Sequence, residues 1–126
     1  MHIFIGRIDL NIFKVIAADI STDVVVLTDE RLEHIRSRHP NDIERYFDCL
    51  RCLVEEPDYI LEANKPSTAV LLKRFSEAGK NFQLVLRLKT AADPDGRMNS
   101  IITFMKVYDS KYQQFLRTKK ILYKRE

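Results

Sequence analysis

Apolar positions recur at helical spacing between Asn41 and Pro57, where Ile43, Tyr46, Phe47, Leu50, Leu53 and Val54 fall on one stripe and Pro57 ends it. Asn41 with Glu44 three residues on reads as a capping box that opens this helix. Beyond Pro57 the period shortens to two. Residues 59–63, 69–75, 82–90 and 100–107 are short β-rich runs, separated by turn chemistry at Asn64-Lys65-Pro66-Ser67, Ala78-Gly79-Lys80 and Asp93-Pro94-Asp95-Gly96. The third run alternates cleanly, with Phe82, Leu84, Leu86 and Leu88 on one side and Gln83, Val85, Arg87 and Lys89 on the other. An antiparallel meander is expected, with helices packed on the leucine face and the arginine face left to solvent or a ligand.

The N-terminal part is less regular. Residues 3–5 and 24–27 are β-rich, and residues 8–18 between them form an amphipathic stretch that the pattern leaves unassigned. A further helix is expected from Thr28, whose hydroxyl can cap the first turn while Asp29 and Glu30 complement the positive end of the dipole. Pro40 ends it and pushes His39 out of the α region. A short helix from Ser110, with Gln113 at the capping-box position, leads to a last apolar run at residues 121–123. The class is α+β, and 126 residues without repeat, low-complexity tract or linker suit one domain.

Charge changes the picture. Residues 1–63 carry 7 Lys/Arg against 13 Asp/Glu, while residues 64–126 carry 14 against 5. Uniform solvation does not sort charge this way, and a basic half suits a polyanion such as RNA. The stretch 117–125 alone holds five cations among Ile121, Leu122 and Tyr123; taken by itself it reads equally as a solvated basic tail. The opening Met-His-Ile-Phe-Ile-Gly-Arg lacks the basic start and long apolar stretch of a signal peptide, and no run is long enough to span a bilayer, so a soluble, cytoplasmic protein without membrane contact is expected. Cys49 and Cys52 are too few for a disulfide framework and are expected to stay as thiols.

The strongest candidate chemistry lies in residues 28–40, where two of the three histidines stand beside three arginines. An imidazole transfers protons near neutral pH, and guanidinium groups hold phosphate. Glu30, His34 and Arg38 share one face at i, i+4 and i+8, whereas Leu32 and Ile35 line another that continues towards His39. His34 is thus the better placed to meet a ligand, and His39 reads as either its partner or a hydrogen-bonded structural residue.

Leu-Thr-Asp-Glu-Arg-Leu-x-His-Ile-x-x-Arg-His-Pro, a helix ending at Glu-Pro-Asp, a strand with Lys-Arg-Phe, an Ile-Ile-Thr-Phe strand and a closing Ile-Leu-Tyr-Lys resemble the phage-associated barnase/EndoU/colicin/RelE-like nuclease families over residues 24–126. The resemblance implies an N-terminal helical segment packed on a four-stranded antiparallel sheet, with metal-independent ribonuclease toxins as relatives. It matches His34 and His39 to the helix motif, Lys73 and Thr103 to polar strand positions, and Tyr123 to a terminal aromatic. Without a metal or cofactor, RNA is cleaved when the ribose 2′-OH attacks the adjacent phosphorus, which requires proton transfer and neutralisation of a crowded, charged phosphorane. DNA lacks that nucleophile. His34 and His39 would move protons, Lys73 or Arg38 would neutralise charge, and Thr103 would donate to a non-bridging oxygen. Arg31, Arg87, Lys89 and Tyr123 complete the expected substrate contacts. RNA, tRNA included, is the expected partner, and a toxin-like relative implies an immunity or antitoxin protein.

Each of these residues also has a bland reading. Lys73 can be a snorkelling sheet lysine, Thr103 a simple β-former, Arg38 a solvated helix charge and Tyr123 part of the core. His34, His39, Cys49 and Cys52 have internal spacings within the range of zinc sites, but both cysteines fall mid-helix and core packing accounts for them better. A non-catalytic module binding RNA or an acidic protein through the same basic sheet is the alternative function. Against a stacking platform, the exposed positions Gln83, Val85, Arg87 and Lys89 include no ring.

Overall fold

The four runs expected to pair in a meander do so in the computed structural model, which describes residues 2–75 and 80–125. In chain order the elements are β1 (His2–Arg7), α1 (Leu10–Phe13), β2 (Val24–Thr28), α2 (Asp29–Arg38), α3 (Asp42–Arg45), α4 (Phe47–Glu55), β3 (Tyr59–Glu62), β4 (Thr68–Phe75), β5 (Lys80–Arg87), β6 (Asn99–Val107), α5 (Asp109–Thr118) and β7 (Ile121–Lys124). Of the turn predicted at residues 78–80, all but Lys80 lies outside the described residues.

Among the described residues the sheet has seven strands, not four, in the order β1-β2-β6-β5-β4-β3-β7. The meander β3 to β6 forms its middle. A four-stranded sheet would leave two rows of unpaired backbone groups, and both are used: β7 pairs antiparallel with β3, and β2 pairs parallel with the start of β6. β1 then closes an antiparallel pair on β2, so a strand, rather than the expected helical segment, begins the described chain. Buried Asn99 fixes the parallel junction. Its amide nitrogen donates to the carbonyls of Thr22 (2.7 Å) and Val24 (3.0 Å), and its oxygen accepts the Lys89 N–H at 2.7 Å. Every polar atom of that side chain therefore has work inside the core.

The leucine face carries the core. Phe82, Leu84 and Leu86 of β5 pack with Ala69 and Leu71 of β4, Ile101 and Phe104 of β6, and Ile35, Ile43, Leu50 and Leu53 from the helices. Phe82 stacks on Phe104 at 5.3 Å and meets Tyr46 and Phe75 edge-on at 4.8 and 5.5 Å. Gly6 lets α4 lie close over β1, because a Cβ there would sit 3.3 Å from Arg51 Cγ and 3.4 Å from Val54 Cγ2. The arginine face is covered over half its width only: Tyr112 and Phe115 of α5 pack on Leu61, Val70 and Leu72.

The expected helix between Asn41 and Pro57 is broken in two. Asn41 takes a left-handed φ of 73° and makes no side-chain cap, so the capping box does not form. Glu44 instead reaches back to Arg36 Nε at 2.6 Å. The break at Tyr46 (φ −119°) accompanies its ring meeting Phe82, and α4 then runs to Glu55 with Leu50, Leu53 and Val54 buried. Cys49 is half-buried against the core, where burial pushes its thiol above the usual range, and Cys52 faces outward. In the unassigned stretch the chain makes the one-turn α1, held by Asp9 Oδ1 accepting the Asn11 N–H. No helix among the described residues is long and apolar enough to cross a membrane.

Candidate functional site

α2 begins as expected. Thr28 Oγ1 accepts the Arg31 N–H at 3.2 Å, Asp29 and Glu30 occupy the first turn, and His39 caps the C-terminus with its N–H on the Ile35 carbonyl. The helix follows β2 without a loop. Because β2 runs parallel to β6, α2 lies beside β6, and at the start of α3 Asp42 Oδ2 accepts the Lys106 N–H at 3.4 Å. The apolar side of α2, with Ile35 buried and Leu32 against the core, faces the sheet. From its first turn, Glu30 and Arg31 border the face that α5 does not cover.

Strand pairing sorts that open face into rows, since directly paired residues point the same way. Val70, Val85 and Thr103 form one row, and Thr68, Arg87 and Ser100 the next. An irregularity in β6 between them turns Ile102 to the same side. A groove of about 810 Å³ lies over these rows, with Gln83 and Thr68 in its floor and Glu30 and Arg31 of α2 on one bank. Lys65, Arg97 and Lys119 stand on its other margins.

The groove is cationic. Arg31, Lys65, Arg87, Arg97 and Lys119 line it, and Glu30 is the one carboxylate in its lining among the described residues. Arg87 is anchored by Asp93 at 2.9 Å. Asp93 in turn accepts the Thr90 N–H at 2.8 Å, and this bond, with the guanidinium, holds its carboxyl below the usual range despite partial burial. Arg31, Lys65 and Arg97 have no carboxylate partner among the described residues. Guanidinium and ammonium groups that outnumber the carboxylates around a polar floor give the groove a positive lining.

The expected site residues divide by where the fold puts them. Arg31 and Arg87 line the groove, and Thr103 is half-buried on the same face in the Val85 row. His34 is exposed one turn beyond Glu30 and Arg31, roughly 5 Å along the helix, and is not among the residues that line the groove. Arg38 and His39 sit at the far end of α2, roughly 10–12 Å from Arg31 along the axis.

Lys73 belongs to the other face. It pairs with Phe82 and its Nζ donates to the Glu56 carbonyl at 2.6 Å, closing the C-terminus of α4 beside Asp58. Tyr123 is also on the helix-covered side, paired with Ile60 and packed against the core at the distal edge of the sheet. Lys89 lies past the end of β5, its N–H bound by Asn99 and its carbonyl accepting the Ser21 N–H, and it does not line the groove. A single cleft holding His34, Lys73 and Thr103 is therefore excluded.

Sequence reasoning missed Glu30, Lys65, Ser100, Arg97 and Lys119 as groove residues. The signal for Glu30 is its place on the His34 stripe, at i and i+4. The others are brought in by pairing and by the return of α5, for which no local signal exists. Among the described residues no three His, Cys, Asp or Glu side chains are grouped to hold a metal ion.

Over residues 4–124 the chain matches the family described as phage-Barnase-EndoU-ColicinE5/D-RelE like nuclease2, PBECR2. The match spans nearly the whole chain, and the protein belongs to this nuclease family. No curated protein and no solved structure gives a match.

Proposed function

We propose that this member of a nuclease family is a metal-independent RNA endonuclease acting in the open-face groove. One observation carries the reading: five cations and the Glu30 carboxylate line a groove floored by short polar groups, and the exposed imidazole of His34 stands one turn further along the bordering helix, outside the lining. His34 is the proton-transfer group and Glu30 its partner, one accepting the 2′-OH proton and the other protonating the leaving 5′-oxygen. Arg31 and Arg87 neutralise the phosphorane, and Ser100 and Thr103 donate to its non-bridging oxygens. Lys73, engaged at the end of α4, has no part in this assignment. A toxin-like role, with an immunity or antitoxin protein as partner, accompanies the reading through the family resemblance.

The test is cleavage of total RNA and tRNA by the purified protein in excess chelator. Products ending in 2′,3′-cyclic phosphate, and no cleavage when the scissile 2′-OH is replaced by hydrogen, are expected. A need for divalent metal, or equal cutting of deoxy substrates, would falsify the mechanism. Binding without cleavage of any RNA would instead favour a non-catalytic module. Binding should weaken steeply with salt, because each phosphate neutralised releases condensed counterions; a flat dependence would remove the electrostatic case for RNA.

A further inference from the structure

The exposed face of β5 offers no aromatic ring, but β1 supplies one to the same face. Ile3 and Ile5 of β1 point into the helix-covered core, so Phe4 and His2 point to the open side. Phe4 pairs with Val26, Val26 with Ser100, Ser100 with Arg87 and Arg87 with Thr68. Five strands thus present one continuous row across the open face, starting with Phe4 and ending in the groove floor. Neighbouring strands lie about 4.8 Å apart, which puts Phe4 roughly 10 Å from Ser100 and roughly 15 Å from Arg87. Phe4 is 57% exposed, although it stands on a strand whose alternate residues are inserted in the core. His2 pairs with Thr28, which lines the groove, so a second flat ring system flanks the same bank.

We infer that Phe4 is a nucleobase-stacking subsite, on which an unpaired base of single-stranded RNA lies while the neighbouring phosphates are held over Ser100 and Arg87. This rests on the nuclease reading above and specifies its substrate as unpaired RNA extending beyond the scissile bond towards β1. Phosphate contacts alone carry no preference for single strands, whereas a ring on the same row as Arg87 and Ser100 favours bases free to leave their own stack. His2 beside Thr28 would border the same base.

The chain contains no tryptophan, so Phe4→Trp places a single selectively excitable indole at the subsite. The probe is a short single-stranded RNA blocked by 2′-O-methyl groups, with a duplex of the same sequence as control. Saturable quenching of Phe4→Trp emission by the single strand is expected. Phe4→Ala and Phe4→Leu should both weaken binding of that strand by roughly 5- to 150-fold, the scale of one base–aromatic stack. The salt slope should not change, because no phosphate contact is lost. An oligonucleotide with one abasic position should bind wild type and Phe4→Ala alike when the abasic site falls at the subsite.

Unchanged emission and unchanged affinity in Phe4→Ala, while wild type binds and cleaves RNA, would overturn the subsite and leave the nuclease reading standing. If wild type neither binds nor cleaves RNA, the nuclease reading falls and the subsite with it. Sedimentation showing a dimer that Phe4→Ala dissolves would assign the ring to edge-to-edge pairing of β1 between copies instead.

Discussion

The two faces of the sheet solve opposite problems with the same strands. On the helix-covered face two buried polar side chains are engaged: Asn99 makes three hydrogen bonds and Lys73 ends α4 and meets Asp58. On the open face Arg31, Lys65 and Arg97 stand without carboxylate partners among the described residues, and Glu30 lines the groove beside them. A buried charge must be paired to be tolerated, so a lysine on the first face reports on stability. A cation cluster on the second raises the free energy of the isolated protein through like-charge repulsion and is relieved by an anion. Residue type alone does not separate these roles, and the face does.

The largest expected effect lies on the open face. His34→Ala should lower turnover on RNA by roughly two to four orders of magnitude, the scale for losing a general acid or base, while RNA affinity and melting temperature stay near wild type because the side chain is exposed. Single-turnover cleavage with a parallel melting curve measures both. Full activity would leave the family assignment untouched and move proton transfer to Glu30 or another group.

Phe82→Ala should produce the converse on the covered face. The ring is fully buried among Tyr46, Phe75 and Phe104, and truncating it should cost about 3–5 kcal/mol in urea unfolding. A loss under about 1 kcal/mol would mean that this core is not the one holding the sheet together.

Lys73→Met is the sharpest single test of the division between faces. It removes the bond to the Glu56 carbonyl and the contact with Asp58, so a loss of about 1–3 kcal/mol is expected with turnover per folded molecule unchanged. If turnover instead drops a hundredfold while stability holds, Lys73 acts on substrate and the sorting of residues by face is wrong.

What the sequence made legible was whatever is written in local period or local caps. The Thr28 cap, the stop at Pro40, the stripe of Leu50, Leu53 and Val54 and the two-sided alternation from Phe82 to Arg87 all hold, because each depends on neighbours within a few residues. Lys73 shows the limit. Its face is fixed by pairing with Phe82 and its role by Glu56, seventeen residues away, and neither is inscribed in Lys-Arg-Phe. Phe4 shows the same limit in reverse: Ile3 and Ile5 mark it as outward, but only the parallel pairing of Val26 with Ser100 brings it onto the arginine face. The capping box at Asn41 does not form: Asn41 takes a left-handed backbone, and Glu44 meets a guanidinium in α2, a partner that helical spacing cannot foresee.

The smallest expected effect concerns a carboxylate that ties a groove cation to the backbone of the turn after β5. Asp93 ties Arg87 into the open face and, through the Thr90 N–H, closes the turn after β5. Because these contacts lower its carboxyl pKa in the folded protein, they add stability above the unfolded carboxylate value of about 3.9, and that stability is lost as pH falls through the depressed folded value. Asp93→Asn should therefore melt below wild type at neutral pH, and the two melting curves should converge at acid pH. The same substitution leaves Arg87 without its carboxylate, so affinity for RNA should not fall and its salt slope should steepen by up to about one phosphate equivalent. Melting from pH 2 to 8, with RNA titrations at several salt concentrations, reads both. A stability gap that persists unchanged to low pH would show that Asp93 acts through its shape in the turn and not its charge. A loss of RNA affinity would mean that Arg87 needs this carboxylate to be aimed at the groove, and the open face would then be less a reservoir of free cations than a set of positioned ones.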